Sequence, residues 1–254
     1  VYQMAIADIE ESKRGTFVMP TLIELESFDE LEREIFGPVL HVVRYKRKDL
    51  DQLIAQINAS GYGLTLGVHT RIDETIAKVV NSVHAGNVYV NRNIVGAVVG
   101  VQPFGGEGLS GTGPKAGGPL YLFRLLSTRP ADAIEQSFAK VDAISAPDTQ
   151  AREALSKPLK ALQSGAQNNQ QAALAELGSE FAAHSQSGMT RLLNGPTGER
   201  NSYAILPREH VLCLADTESD LLTQLAAVLA VGSPAVVPDS ELATALLTRL
   251  PKEV

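Results

Sequence analysis

The stretch from Gly100 to Gly118 has the residue types and spacing best suited to chemistry on a small molecule. It holds eight glycines, two prolines and two hydroxyl side chains, those of Ser110 and Thr112. Ordering so many glycines costs conformational entropy, and a simple connection between two elements would not need them. Glycines let backbone N–H groups approach a ligand without a Cβ in the way, and successive N–H groups form a nest that binds anions. The residues therefore predict an anion-binding loop, with a flexible surface loop as the alternative.

The same stretch contains the spacing G-x-G-x-x-G at Gly106, Gly108 and Gly111. A dinucleotide-binding fingerprint places this string between a strand and a helix, with an acidic residue about 20 positions further on. Here Gln102-Pro103-Phe104 comes before the string, and Gly113-Pro114 would interrupt a helix after it. The context predicts a shaped loop and not a dinucleotide fingerprint.

Cys213 is the only cysteine, and it lies in the apolar run Val211–Ala215. A thiol in such a run is usually a small buried hydrophobic group, so we interpret Cys213 as structural and not as a nucleophile. The five histidines show no ligand spacing, and no metal site is predicted. The cluster Gly195–Arg200 lacks the lysine followed by serine or threonine that closes a phosphate loop, and it predicts a turn.

The composition excludes several classes of partner. With 254 residues and 44% hydrophobic residues the chain can form globular cores, and its net charge of −7 offers no basic surface for nucleic acid or anionic membranes. No apolar run approaches the roughly 20 residues of a membrane span. A single cysteine cannot form an internal disulfide, so we expect a cytoplasmic protein. The start at Val1, without methionine or a signal-like segment, predicts a truncated chain.

Hydrophobic patterning indicates the elements that position these groups. Before Ser127 the pattern predicts three strands and two helices, and this mixture of strands and helices favours an α/β fold with a largely parallel sheet. Asp49 and Asp73 stand where helix N-caps are expected. The predicted strands are 17–25, 39–45 and 88–90, and the predicted helices run from Asp49 to Gly61 and from Asp73 to Gly86.

A change in composition after Ser127 predicts a boundary. Residues 1–127 form the first predicted domain, 128–190 a helical linker that includes a helix over 170–184, and 191–254 the start of a second α/β domain. In the last domain the strand-helix-strand-helix order is typical of the opening of a Rossmann-like unit, which the chain leaves incomplete. Its predicted elements are strands 211–215 and 235–237 and helices 217–229, capped by Asp216 or Thr217 and ended by Gly232, and 241–250.

Four motifs, in order and spacing, resemble the C-terminal part of the aldehyde dehydrogenase superfamily. They are Glu34-Ile35-Phe36-Gly37-Pro38-Val39, Gly61-Tyr62-Gly63-Leu64-Thr65, Gly86 to Arg92, and Gln102-Pro103-Phe104-Gly105-Gly106 through Thr112. Asn91-Arg92-Asn93 and Lys115 to Leu122 look most like the glutamate-γ-semialdehyde (1-pyrroline-5-carboxylate) dehydrogenases. Leu193 to Asn201 resembles the C-terminal extension of the bifunctional proline utilization A (PutA) proteins.

The resemblance implies an NAD site and a substrate site. Glu34 would accept hydrogen bonds from the ribose next to the nicotinamide, and Phe36 would pack beside the ring. Phe104 would line the aldehyde pocket, and backbone N–H groups of Gly117 and Gly118 would hold the carboxylate of the substrate. Residue types alone would instead make Glu34 a solvated acid and Phe36 a core aromatic.

The resemblance also implies what this chain lacks. Family members use a nucleophilic cysteine and a water-activating glutamate, both upstream of these motifs, so we expect no catalytic residue here and no activity from the segment alone. The parent enzyme would oxidise proline in an FAD-containing domain and then oxidise the semialdehyde with NAD. Expected partners are the small-molecule aldehyde, the remainder of the parent chain and further copies in a homo-oligomer, without nucleic acid.

Two other function classes stay open. An aldehyde dehydrogenase of another specificity would have a chain that ends soon after Ser127. Alternatively, the segment 191–254, which has no glycine fingerprint and no catalytic groups, would be a non-catalytic module for packing or assembly.

Overall fold

The structure is a computed structural model that describes residues 1–5, 10–111, 113–128, 130, 132–139, 142–143, 157–161, 164 and 169–252. The chain divides into two compact units, Val1–Ser137 and Phe138–Val254. Thr112 and much of the predicted linker lie outside the described residues. The division at 127/128 and 190/191 stays a prediction.

The first unit alternates short strands with helices. Its strands pair as β1-β2-β3, with β1 antiparallel and β3 parallel to β2, as a parallel pair β5-β6, and as an antiparallel pair β4-β7. The predicted parallel pairing is present, but in the described residues these strands form three small sheets instead of one. The elements are β1 Tyr2–Gln3, β2 Thr21–Leu25, β3 Val39–Val43, α1 Leu50–Ala59, β4 Tyr62–Gly63, β5 Thr65–Val68, α2 Asp73–Ser82, β6 Asn87–Val90, β7 Glu107–Gly108 and α3 Ala133–Phe138, whose last residue belongs to the second unit.

A small apolar cluster between α1 and α2 holds this region together. Ile54 on α1 and Val79 and Val83 at the end of α2 are buried, and partly buried side chains of β5 and β6 pack on them. Each such aliphatic side chain contributes about 1.5–3 kcal/mol when fully buried. Both helices were predicted, but the caps differ from the prediction. Asp49 makes no side-chain cap hydrogen bond, and Asp73 is the first residue of α2 and not its N-cap.

The second unit combines an antiparallel sheet with a βαβα segment. Strands β8 to β10 form the sheet in the order β10-β9-β8, and β11 pairs in parallel with β12. The predicted turn at Gly195–Arg200 connects β9 to β10. The predicted strands 211–215 and 235–237 and the last predicted helix are all shorter in the structure. The elements are β8 Asp142–Ala143, α4 Asn169–His184, β9 Thr190–Leu193, β10 Asn201–Ala204, β11 Val211–Leu212, α5 Glu218–Ala230, β12 Ala235–Val236 and α6 Glu241–Leu247.

The core of the second unit lies around α5. The Thr217 hydroxyl caps this helix by accepting from Asp220 N at 3.2 Å, and Gly232, with φ +75°, follows its end, as predicted. Cys213 is 2% exposed within the same core, and burial raises the pKa of its thiol. This supports the structural interpretation of Cys213. The buried α5 residues are Leu221, Leu222, Leu225, Ala226, Val228 and Leu229.

In the part of the chain that the structure describes, no helix combines the length and the apolar character required to cross a membrane.

Candidate functional site

The glycine-rich stretch is hydrogen-bonded to itself and to neighbouring strands. Phe104 and Ala116 form an antiparallel bridge, with Phe104 N donating to Ala116 O at 3.0 Å and Ala116 N to Phe104 O at 2.9 Å. The Ser110 hydroxyl accepts from Gly63 N at 3.0 Å, and β7 pairs with β4. These contacts favour a built ligand-binding loop over a flexible connection. The string Gly106–Gly111 forms part of this loop, and among the described residues that follow it none begins a helix before Leu122, which agrees with the predicted shaped loop.

Asn87, the first residue of β6, holds one arm of the glycine-rich loop, residues 103–105, by hydrogen bonds. Its side-chain Nδ2 donates to Pro103 O at 2.8 Å, and its Oδ1 accepts from Gly105 N at 3.2 Å. One amide therefore satisfies two backbone groups on either side of Phe104. The position of Phe104 is thereby tied to the start of β6.

Lys115 belongs to the other arm of the loop, residues 115–118, and holds it by hydrogen bonds of its side chain. Its Nζ donates to Gly105 O at 2.8 Å and also to Gly86 O. Sequence reasoning treated Lys115 only as part of a family motif and assigned Asn87 no role. The available signal was the presence of a polar residue at the first position of an otherwise apolar strand.

Gly86 is required by the close approach of the loop to β6. An added Cβ at Gly86 would lie 1.8 Å from Gly105 O and 2.8 Å from Gly106 Cα, both backbone atoms. No side-chain rotation relieves such a contact, so the glycine permits the loop to sit where it does.

Of the residues predicted to bind substrate, Phe104 lines a cavity of about 360 Å³. Ser110, Tyr121 and Arg124 are polar side chains on the same cavity, whose volume is within the range of small-molecule sites. Gly118 lines a different cavity of about 720 Å³, together with apolar side chains such as Leu122. The bridge to Ala116 brings Phe104 near Gly117 and Gly118. Phe104 and Gly118 nevertheless line two different cavities.

The two predicted carboxylate-binding amides differ in availability. Gly117 has φ +69°, a conformation that favours glycine, and within the described residues its N–H has no hydrogen-bond acceptor. Gly118 N donates to Lys115 O at 3.0 Å and closes a turn. Of these two amides, the Gly117 N–H is therefore the one without an acceptor among the described residues, and it is the one that can bind a ligand.

The residues predicted to bind the cofactor lie between Leu31 and β3. Phe36 is 85% exposed and so is not a core aromatic of this chain, and Glu34 is exposed without a hydrogen bond or ion pair among the described residues. The turn before them is fixed by a hydrogen bond from Gln56 Nε2 to Asp29 Oδ2 at 2.8 Å. An exposed ring two residues from an exposed carboxylate suits a ligand with an aromatic ring and hydroxyls. In the described part of the chain no hydrogen bond joins Glu34 or Phe36 to the glycine-rich loop.

A metal centre has no support in the described residues, where no group of three or more histidine, cysteine, aspartate or glutamate side chains could hold an ion.

The sequence profile of the "Aldehyde dehydrogenase family" matches residues 4–129, which contain both the glycine-rich loop and the Glu34–Phe36 segment. Residues 4–129 belong to the aldehyde dehydrogenase family. The aldehyde dehydrogenase segment covers nearly all of the first unit and all four of the motifs on which the predicted resemblance rested.

The similarity to a PutA protein extends beyond residues 4–129, whereas the similarity to a 1-pyrroline-5-carboxylate dehydrogenase does not cover more of the chain than the profile does. "Bifunctional protein PutA" of Klebsiella aerogenes is 64% identical over 247 residues, which are 97% of this chain and 19% of that protein. "1-Pyrroline-5-carboxylate dehydrogenase" of Bacillus cereus (strain B4264) is 45% identical over 114 residues, 44% of this chain and 22% of that protein. The structure of PutA from Corynebacterium freiburgense matches with a TM-score of 0.58 and 26% identity, over 87% of this chain and 21% of that one.

These matches confirm the predicted resemblance to PutA and show that the chain spans less than a quarter of the length of each relative. The match to the Bacillus cereus protein covers 44% of this chain, whereas the match to the PutA protein covers 97% of it. The match to the PutA protein therefore includes nearly all residues after Ser127.

Proposed function

We propose that this chain is a segment of a longer PutA-like enzyme that oxidises L-glutamate γ-semialdehyde, formed from 1-pyrroline-5-carboxylate, to L-glutamate in proline catabolism. The observation that carries the proposal is the 64% identity to a PutA protein across 97% of the chain, which includes both units. Membership of residues 4–129 in the aldehyde dehydrogenase family supports the type of reaction.

The cofactor side of the proposed site is Glu34 and Phe36, and the proposed cofactor is NAD. When bound, NAD supplies the acceptor for the two electrons that leave the aldehyde. The Glu34 carboxylate would accept hydrogen bonds from ribose hydroxyls, and the exposed Phe36 ring would limit where the nicotinamide sits.

The substrate side is Phe104 with Gly117 and Gly118. Gly117 N–H donates to the substrate carboxylate, whereas Gly118 N–H would have to be shared with Lys115 O. Binding an anion by neutral amides agrees with the absence of lysine and arginine from 101–114. Phe104, which lines the cavity of about 360 Å³, would lie beside the reacting carbon.

Catalysis itself requires groups that this chain does not provide. A thiolate must attack the aldehyde carbon, and Cys213 is unsuited because it is buried and its pKa is raised by burial. The nucleophile and the water-activating carboxylate then come from another part of the parent chain. The segment alone is therefore expected to be inactive.

The second unit is proposed to be structural. Its βαβα segment, β11 to α6, fits the start of an aldehyde-dehydrogenase-like, Rossmann-like domain over 191–254, preceded by a linker over 128–190. We propose packing or assembly as its role, because it has no glycine fingerprint. In the parent we expect an FAD-containing proline dehydrogenase domain, a homo-oligomer and a cytoplasmic location.

The cofactor assignment is tested on the full-length protein that contains this chain. Glu34→Gln should raise the KM for NAD about tenfold, because the charged acceptor of the ribose hydroxyls is lost. Glu32→Gln is the matched control, since Glu32 is also an exposed acid of the same segment. The same KM for NAD in both variants would show that Glu34 does not bind the cofactor.

A further inference from the structure

Lys115 carries a positive charge that faces neutral backbone carbonyls. Its side chain is partly buried, and its Nζ donates to Gly105 O at 2.8 Å and to Gly86 O. Burial lowers the pKa of this ammonium, while the carboxylate of Glu107 acts in the opposite direction. Desolvating an ammonium is unfavourable, so its hydrogen bonds must compensate for that cost.

The two acceptors come from separate segments. Gly86 immediately precedes β6, and Gly105 immediately follows Phe104. Lys115 itself stands two residues before Gly117, and its carbonyl accepts from Gly118 N. One side chain therefore joins the start of a strand to both arms of the glycine-rich loop through charge-assisted hydrogen bonds.

Different side chains hold the two arms of the loop. Asn87 holds the Phe104 arm through Pro103 O and Gly105 N without involving residues 115–118. The arm that carries Gly117 is held by the backbone bridge at Ala116 and by the Lys115 side chain. Removing Lys115 should therefore disturb the Gly117 amide more than it disturbs Phe104.

We propose that Lys115 is a positioning residue for carboxylate recognition: its ammonium, held by Gly86 O and Gly105 O, fixes the Gly117 amide where it meets the substrate's carboxylate. This inference rests on the proposed function. The ammonium acts through the loop and does not itself contact the substrate, because its described hydrogen bonds point to backbone carbonyls.

The test compares two aldehydes in the full-length protein, glutamate γ-semialdehyde and an aliphatic aldehyde without a carboxylate. Lys115→Met should raise the KM for the semialdehyde about tenfold or more and change the KM for the aliphatic aldehyde by less than about twofold. Asn87→Leu should raise both KM values, because it releases the Phe104 arm. Lys78→Met is the matched control, since Lys78 pairs with Asp51 at 2.6 Å on the exposed surface and should change neither value.

An equal change for both aldehydes in Lys115→Met, or no change, would overturn the inference. Should Lys115→Met fail to fold, Lys115→Gln gives the same comparison, with a smaller increase in the KM for the semialdehyde because its amide retains N–H donors. A wild-type protein without semialdehyde activity would reject the proposed function instead. Amide hydrogen exchange at 116–118 then still tests the positioning role of Lys115. Faster exchange in Lys115→Met than in Lys78→Met supports that role, and equal exchange rejects it.

Discussion

Gly86→Ala is the substitution that most directly probes the contact between the glycine-rich loop and β6. The new Cβ would lie 1.8 Å from Gly105 O, and bringing that contact to the 3.0 Å minimum moves the Gly105 backbone by about 1.2 Å. Overpacking of this kind costs about 1–3 kcal/mol of stability, partly offset by about 0.4–1 kcal/mol from the lower entropy of the unfolded chain. If the loop positions substrate as proposed, a displacement near 1 Å lowers the rate about 100-fold.

The assay is NADH formation from glutamate γ-semialdehyde by the full-length protein, with denaturant unfolding measured in parallel. Gly198→Ala is the matched control, because Gly198 has φ +91°, an added Cβ would meet no described atom within 4 Å, and the residue lies in the turn between β9 and β10. That change strains the backbone by about 1–2 kcal/mol without moving the loop. A kcat/KM for Gly86→Ala equal to that of Gly198→Ala would show that the contact between Gly86 and Gly105 does not position the loop.

Three further predictions concern the framework of the two units. Asn58→Ala should lower the free energy of unfolding by about 1–3 kcal/mol in denaturant titration, because Asn58 Nδ2 donates to Ser82 O at 2.8 Å and its Oδ1 accepts from His84 N at 2.9 Å. Leu246→Ala should cost about 2–5 kcal/mol by the same measurement, since this side chain is 1% exposed, and a loss below about 1 kcal/mol would contradict its core position. The thiol of Cys213 should react with a disulfide reagent much more slowly in native than in unfolded protein at mildly alkaline pH, because burial hinders access and raises its pKa, which lowers the thiolate fraction. Equal rates in the two states would show that the thiol is accessible.

Helix positions were predictable where one periodic face contacts the core. Leu50, Ile54 and Ile57 repeat at helical spacing, and the structure places them in the cluster between α1 and α2. The strand β5 was not predicted, because Gly67 interrupts its short apolar run and glycine is unfavourable in strands. Helix caps depend on the local backbone, which explains why Thr217 caps as expected and Asp49 does not.

The glycine-rich loop could be recognised from its glycines, but the side chains that hold it could not be recognised from the sequence. Asn87 and Lys115 act on residues 10 to 29 positions away, and such pairs are defined only once the chain has folded. Gly86 illustrates the same limit, because its sequence context does not show that another backbone passes within contact distance. Residue types thus indicated a ligand-binding loop, whereas three-dimensional contacts indicate how it is held.

We propose that this chain contributes the cofactor and substrate surfaces of an enzyme whose nucleophile lies elsewhere in a longer protein. The deciding assay is NADH formation from glutamate γ-semialdehyde, measured for the full-length protein and for the purified 254-residue chain. We expect NADH formation by the full-length protein and none by the chain alone. Activity of the chain alone, or an inactive full-length protein, would overturn this proposal.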